Sequence, residues 1–411
     1  MISSLLERKL NSLTLPLSIV LPNGHRIGAS APVTVRLQEL SPLTNIASGN
    51  IGKIAQDYVE GRLDFDGNVR DLMAIAAQLI SKNPAHAKVA LNWCKIWLKN
   101  ISSRVQHNIN ADAEQIQFHY DVSDEFYKLW LDPMQLYSCA YFNEPGIELA
   151  EAQQAKLDHI CRKLMLKPGE RFLDIGAGWG GLLILAVERY GVEAHGITLS
   201  RNQYTHVNQL IKERGLTGRM KMELLDYREL PEDTLYDKIA SVGMFEHVGR
   251  AQMPAYFAKI HRLLKPGGLL MNHGITASNI HHIKLGSGLG NFIERNIFPG
   301  GELLHISKAI EIMSGAQLEP LDIENLRPHY ARTLWAWSDA LENNLGAARK
   351  HASEKIIRAY RFYLAGCAMS FEQGWIALFQ MLATKSTGEV VDLPMRGAQS
   401  VYPFNRSYMY E

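Results

Sequence analysis

The chain has 411 residues, 46% hydrophobic and 21% charged, which is the composition of an ordinary folded protein long enough for two or three domains. With 43 basic against 42 acidic side chains the formal net charge is +1, which excludes a global attraction to nucleic acid or anionic lipid and leaves only local patches for such contacts. The four cysteines, Cys94, Cys139, Cys161 and Cys367, form no C-x-x-C pair and no regular framework, which argues against structural zinc and a disulfide scaffold and for a reducing compartment.

The opening "MISSLLERKLNSLTLPLSIVLP" is broken by Glu7, Arg8 and Lys9 and lacks the apolar core of a signal peptide. No stretch approaches the roughly 20 apolar residues of a membrane span, so a cytoplasmic protein is expected. Residues 1–100 read as a small α+β unit. "LPLSIVLPNGHRIGAS" is two short strands around a Pro-Asn-Gly turn, "PVTVRLQEL" alternates like a third, and "DLMAIAAQLI" has helical spacing. An accessory or oligomerisation role is expected for it. The polar stretch around "KNISSRVQHNINADAEQ" marks a linker over 101–122, and a catalytic domain is expected over 123–411. From there strands and helices alternate. "RFLDIGAG", "VEAHGITLS", "MKMELLDY", "YDKIASVGMFEHV" and "GGLLMNHGIT" read as strands, with "GLLILAVERY", "RNQYTHVNQLIKERG" and "MPAYFAKIHRLLKPGG" as intervening helices. That pattern predicts a parallel α/β sheet covered on both faces, with ligands at the carboxyl ends of its strands. Beyond Ala331 the pattern turns helical, and "AYRFYLAGCAMSFEQGWIALFQMLA" continues it with apolar Tyr360, Tyr363, Leu364, Cys367 and Met369. The tail beyond Lys385 is rich in turn residues and aromatics and receives no role.

The loop "FLDIGAGWGG" spells G-x-G-x-x-G through Gly176, Gly178 and Gly181. A dinucleotide site needs an acidic residue about 20 positions further on. The second strand ends instead in "GITLSRNQ", offering Thr198, Ser200 and Gln203 and no carboxylate, and Arg201 alone is thin support for a 2′-phosphate. No Gly-Lys-Ser/Thr follows, which excludes a Walker-type loop. The third strand ends in "LLDYRE", where Asp226, Tyr227 and Arg228 suit an adenine amino group. Trp179 lies beside the loop, and a sulfonium is attracted to an aromatic face by roughly 0.5–2 kcal/mol. The pattern fits S-adenosylmethionine better than NAD, with a dehydrogenase as a distant alternative.

"HYDVSDEFYKLWLDPMQLYSCAYF", "DIGAGWGGL", "GITLSRNQ", "SVGMFEHVG", "LLKPGG" and "ERNIFPGGELL" follow one another in order. Together they resemble the cyclopropane-fatty-acyl-phospholipid synthase family over roughly Gln115 to Met381, and the N-terminal unit resembles that family's small lipid-facing domain. The resemblance implies a Rossmann-like class I methyltransferase domain with a small N-terminal α+β domain and helical additions. It implies methylene transfer from S-adenosylmethionine to an acyl double bond, with bound bicarbonate as the base. By the same resemblance Cys139 contributes a backbone amide to the anion, Glu246 holds and polarises it, His273 and Ile275 match a His-x-Ile pair, and Tyr330 donates to it. Tyr137, Ser138, the loop Gly176, Ala177 and Gly178, and the run Thr198, Leu199, Ser200 to Gln203 match the methyl-donor contacts.

Two positions depart from the family pattern. The loop reads Gly-Ala-Gly where many members have Gly-Cys-Gly, a change expected to cost nothing. "NHGIT" replaces His-Thr-Ile, and its glycine is expected to loosen the backbone of His273 and Ile275. Read without the resemblance, Cys139 is a buried small residue, Glu246-His247 a solvated turn and His273 a core histidine. His281, His282 and His305 lack a carboxylate or cysteine at ligand spacing, and no metal is expected.

A mid-chain alkene lies deep in a bilayer, and drawing about ten methylenes into water costs about 8 kcal/mol at roughly 0.8 each. An apolar tunnel is therefore expected, walled by "HHIKLGSGLGNFIERNIFPGGELL", Trp335, Trp337 and the C-terminal helices. A basic face of Arg349, Lys350, Lys355, Arg358 and Arg361 is expected either to meet phospholipid headgroups or to be a solvated helix face. The expected partner is thus an unsaturated phospholipid bilayer, approached peripherally from the inner face of the membrane, with no nucleic acid. The resemblance also allows a homodimer. Methyl transfer without ring closure, to a lipid or a small amine, is the alternative within the same chemistry, and a non-catalytic lipid-binding protein the alternative outside it.

Overall fold

The computed structural model describes residues 17–80, 84, 123–280, 285–385 and 406–410. The first 16 residues, the expected linker, Cys94, His281, His282 and most of the tail beyond Lys385 lie outside the described residues.

The alternating stretches of the N-terminal unit form β1 (Leu17–Val20), β2 (Arg26–Ile27), β3 (Val33–Leu37) and β4 (Leu63–Asp66) in the spatial order β2-β1-β3-β4. Three helices cover this sheet: α1 (Pro42–Ser48), α2 (Ile51–Val59) and α3 (Val69–Leu79). Asn50 caps α2 by accepting from Lys53 N–H, and Asn68 caps α3 by accepting from Arg70 N–H. Ile19, Val33, Ile51 and Met73 fill the space between, in one continuous core with the C-terminal helices.

After the short α4 (Asp124–Lys128), α5 (Leu149–Lys163) leads into the larger sheet. Its strands β5 (Arg171–Ile175), β6 (Glu193–Thr198), β7 (Met220–Leu224) and β8 (Tyr236–Val242) are linked by helices that include α6 (Gly181–Tyr190) and α7 (Arg201–Glu213). Helix α8 (Met253–Leu263) precedes β9 (Leu264–Ala277). These five strands are parallel, and β5 lies between β6 and β8, so the chain reverses direction across the sheet at its carboxyl end. That is the crevice where ligands of such sheets bind. Beyond β9 come α9 (Leu289–Asn296), α10 (Ile306–Gly315), β10 (Leu318–Asn325), α11 (Arg327–Asn343), α12 (Glu354–Glu372) and β11 (Ile376–Lys385). The full order is β10-β11-β9-β8-β5-β6-β7, with β11 antiparallel to both neighbours.

β11 corrects the helical reading of "GWIALFQMLA". Gly374, at φ +69°, stops α12, and the chain re-enters the sheet between β9 and β10. Leu378, Met381, Leu382 and Ala383 are all buried because both faces of this strand are covered, so no period of two marks it.

Of the expected basic face, Arg349, Lys350 and Lys355 are exposed, whereas Arg358 and Arg361 are engaged within the protein. Arg358 donates to Tyr58 O at 2.9 Å and Leu63 O at 3.3 Å and pairs with Asp64 at 2.8 Å. Arg361 pairs with Glu342 at 2.7 and 2.8 Å and donates to the Tyr58 hydroxyl. Both are struts between the two units. A second junction lies where α2 meets the start of α9. There Gly52 N–H donates to Ser287 O at 2.9 Å, and a Cβ on Gly52 would stand 2.0 Å from Gly288 O. Among the described residues no helix is long and apolar enough to cross a membrane.

Candidate active site

The glycine loop leaves β5 with Gly176 at φ +80° and Gly178 at φ +55°, left-handed conformations that a side chain would strain. Gly176 and Ala177 donate to Ile197 O, both at 3.0 Å, which ties the loop to β6. Above it opens a cavity of about 160 Å³. Every residue expected to contact the methyl donor lines this cavity except Ser200, Arg201 and Asn202, in the middle of the run Thr198 to Gln203. Ser200 instead caps α7 by accepting from Gln203 N–H, while Thr198 Oγ1 donates to Gln203 Oε1 at 2.7 Å, so the pair orients Gln203. Trp179 is held edge-on by His206, with ring centroids 5.2 Å apart. The Asp226 carboxylate is already occupied, accepting from Arg228 N at 2.9 Å, Nε at 2.8 Å and Nη2 at 2.7 Å.

Two charged residues of this cavity were missed in the sequence. Asp174 is the penultimate residue of β5, 2% exposed, and its Oδ1 has no hydrogen-bond partner among the described residues. Burial pushes its carboxyl up to about 7, with Lys156 opposing the shift. Lys156, 1% exposed, donates to Ser138 Oγ at 2.8 Å, and burial pulls its ammonium down to about 8. A signal existed: Gln153, Lys156 and Lys163 share the buried face of α5 with Leu157 and Ile160. Polar residues on such a face need partners or a ligand.

A second cavity, of about 310 Å³, adjoins the first, and Tyr137, Ser138, Gly243 and His247 border both. All five residues expected around the anion, Cys139, Glu246, His273, Ile275 and Tyr330, line it. Glu246 sits in the turn after β8, and burial raises its carboxyl to about 7 while the main-chain N–H groups of Glu246 and Ile275 draw it back. Its Oε2 has no hydrogen-bond partner among the described residues. His273 is fully buried on β9, and burial, with Lys156 and Lys163 adding to it, lowers its imidazole to about 3, so the ring is neutral. Gln380 Nε2 lies 3.3 Å from its Nδ1, and a Gln380 amide that donates there leaves the ring proton on Nε2, an atom with no hydrogen-bond partner among the described residues. The Cys139 thiol points away from this group, donating to Ala140 O at 3.2 Å, and burial raises it far from thiolate formation. The sulfur is thereby held as a neutral thiol. Tyr330 packs against Phe371 at 4.7 Å between centroids.

Gly274 does not loosen this strand. It pairs with Phe379 in mid-ladder, and a Cβ there would stand 2.9 Å from Phe245 Cδ1 and 3.1 Å from Glu246 Oε2. The missing side chain gives the acid its place.

Leu285, Ile293 and Phe298 supply one wall of the second cavity, as the sequence suggested, and Tyr363, Cys367 and Phe371 of α12 supply another. Trp335 and Trp337 do not. Trp335 lies on a separate surface groove under the Arg70 guanidinium, 4.3 Å away, and Trp337 is wholly buried against Tyr137 and Trp130. Arg250 closes the loop around Glu302 over the Glu246 turn, its N–H and guanidinium donating to Glu302 at 2.8 and 3.1 Å. His305 caps α10, accepting from Ser307 N–H.

Residues 107–381 match the family model described as mycolic acid cyclopropane synthetase. A probable fatty acid methyltransferase of Pseudomonas putida is 41% identical over 403 residues, spanning 98% of each chain. Cyclopropane mycolic acid synthase 1 of Mycobacterium tuberculosis is 40% identical over 278 residues, covering 66% of this chain and 96% of that one. The crystal structure of mycolic acid cyclopropane synthase CmaA1 complexed with SAH and CTAB superposes with a TM-score of 0.63 at 39% identity, covering 66% of this chain and 97% of that one.

Proposed function

Because the chain belongs to the mycolic acid cyclopropane synthetase family of S-adenosylmethionine-dependent methyltransferases, we propose that it converts the cis double bond of an unsaturated phospholipid acyl chain to a cyclopropane, with bicarbonate bound as base. The observation that carries this reading is a pair of buried polar atoms, Glu246 Oε2 and His273 Nε2, that have no hydrogen-bond partner among the described residues, in a cavity that shares a wall with the methyl-donor cavity. Buried polar groups without partners are costly and mark a missing ligand. A small anion with both a hydroxyl and acceptor oxygens suits a carboxyl, an N–H donor, a tyrosine and a backbone amide. The relative described as a fatty acid methyltransferase and the solved structure holding CTAB support a long chain as the acceptor.

S-adenosylmethionine, when bound, supplies a methyl group on a positive sulfur, an electrophile strong enough for an alkene. Bicarbonate, when bound, supplies the base for the proton whose loss closes the ring. The protein's part is placement. Tyr137, Ser138, Gly243 and His247 stand where the two cavities meet and fix the approach of alkene to methyl. Alignment of this kind contributes about 7–11 kcal/mol in well-oriented systems. Ile293, Phe298 and Phe371 exclude water from the cationic carbon that methyl transfer creates. Glu246, raised to about 7, carries a proton in a large share of molecules at neutral pH and, in that form, would hydrogen-bond to the anion without transferring the proton. His273 donates from Nε2 while adding no charge. Peripheral contact with the inner membrane face follows from an acceptor that is already part of a bilayer.

Incubation with methyl-labelled S-adenosylmethionine and vesicles of monounsaturated phospholipid, followed by lipid mass spectrometry, tests the proposal. The expected product gains one CH₂ and loses its double bond. A labelled methyl on a chain that keeps its unsaturation, or label on amines alone, rejects ring closure.

A further inference from the structure

The mechanism above leaves Lys156 unused, although burying an ammonium without a full counter-charge is costly. Helix α5 grips the segment between the cavities at three points. Gln153 Nε2 donates to Leu136 O at 3.2 Å and Ser138 O at 3.0 Å, and one turn later Lys156 Nζ donates to Ser138 Oγ at 2.8 Å. A lysine ammonium has three N–H donors, and a serine hydroxyl that accepts one of them still has its own proton to give. Lys156 and Asp174 line the same cavity without being joined in an ion pair, and Asp174 Oδ1 has no partner. A cation with spare donors and an anion with a spare acceptor therefore face one space.

We propose that Lys156 is a cofactor-binding residue: with the Ser138 hydroxyl it takes the α-carboxylate of the methyl donor, while Asp174 takes the α-ammonium. This rests on reading the first cavity as the S-adenosylmethionine site. The amino-acid end of that molecule is a zwitterion, so each of its charges meets an opposite one, and the sulfonium is the only charge left over. The lysine explains how the enzyme selects an adenosyl amino acid over other adenosyl thioethers. It also explains the grip on Ser138: the contact that recognises the carboxylate holds the segment shared by the two cavities. The shifts of both groups toward their neutral forms fit the arrangement, because a zwitterion restores the charge that burial opposes.

Calorimetric binding of S-adenosylhomocysteine and of its decarboxylated analogue, which keeps the amine and lacks the carboxylate, separates the possibilities. The wild-type protein is expected to bind the full amino acid about 10- to 100-fold more tightly, the range for a charge-assisted contact. Equal affinities overturn the proposal without any variant. Lys156→Met and Lys156→Gln, each checked for folding by its melting transition, are expected to weaken S-adenosylhomocysteine by that factor and leave the analogue unchanged. Equal weakening of both ligands means that Lys156 only packs the helix, and the proposal falls. If the wild-type protein binds neither ligand, the reading of the cavity itself fails and takes the lysine with it.

Discussion

Replacing Glu246 by glutamine tests the electrostatics of the anion site through stability alone. Burial raises the Glu246 carboxyl from its usual 4.5 to about 7, so the folded protein favours the protonated acid and the unfolded chain ionises first. The sign follows by linkage: the native state is favoured most below pH 4.5, loses stability as pH rises from there to about 7, and changes little above. A displacement of about 2.5 units corresponds to about 3 kcal/mol at 1.36 per unit, an upper figure for a group that relaxation partly relieves. Glutamine keeps the shape and the neutral donor and cannot ionise. Urea denaturation of wild-type and Glu246→Gln proteins at pH 4, 5, 6, 7 and 8 is the assay. Asp174, raised to about 7, and Lys156, lowered to about 8, titrate in both proteins, so the difference between the curves isolates Glu246. The variant is expected to equal the wild type near pH 4 and to gain up to about 3 kcal/mol on it by pH 8. Parallel curves across that range would refute the reasoning, because they would mean that Glu246 ionises as freely in the folded protein as in water.

Gly274→Ala pushes a methyl group against Phe245 and the Glu246 carboxylate; a loss of about 1–3 kcal/mol in stability is expected. Turnover should fall while S-adenosylhomocysteine affinity holds, as calorimetry alongside a rate assay will show. Lys163→Met leaves Asp322 and Glu324 without the buried ammonium that lies 3.0 and 2.5 Å from them, and is expected to cost about 3–5 kcal/mol by urea denaturation. Lys163→Met with Glu324→Gln should recover part of that loss. Arg358→Met strips donors from Tyr58 O, Leu63 O and Asp64 and is expected to cost about 1–3 kcal/mol. Its binding to anionic vesicles should equal that of the wild type in a sedimentation assay, whereas a headgroup contact would be lost.

The central sheet was legible because strand-like segments ending in turns alternate with segments that carry apolar residues at helical spacing. The glycine loop was legible from its spacing, Thr198 and Asp226 from their places at strand ends, and Gln203 from its place in the first turn of the helix that follows. Cys139, Glu246, His273 and Tyr330 carry no local signature. They come from a loop, a turn, a strand interior and a helix, and only the resemblance assembled them before the structure placed them in one cavity. β11 was hidden because a strand covered on both faces has the apolar continuity of a buried helix. Lys156 and the α12 arginines were hidden for a shared reason. A lysine or arginine in a helix reads as solvated, and only tertiary contact reveals that Arg358 and Arg361 are sealed between units and that Lys156 faces a cavity.

The junction of Gly52 with Gly288 bears on how this chain tolerates change. Any side chain on Gly52 must displace the Gly288 carbonyl, and any on Gly288, at φ +76°, must displace Asn50 Oδ1, 2.4 Å from where its Cβ would stand. Neither residue lines the methyl-donor or the acceptor cavity. In a library that varies every position, these two glycines would score as intolerant as the acid Glu246, and an inventory of intolerant positions would count them as catalytic. Telling them apart takes a pairwise screen: a substitution at one glycine is rescued only by a change in the facing segment, whereas nothing on the opposite unit restores a lost acid.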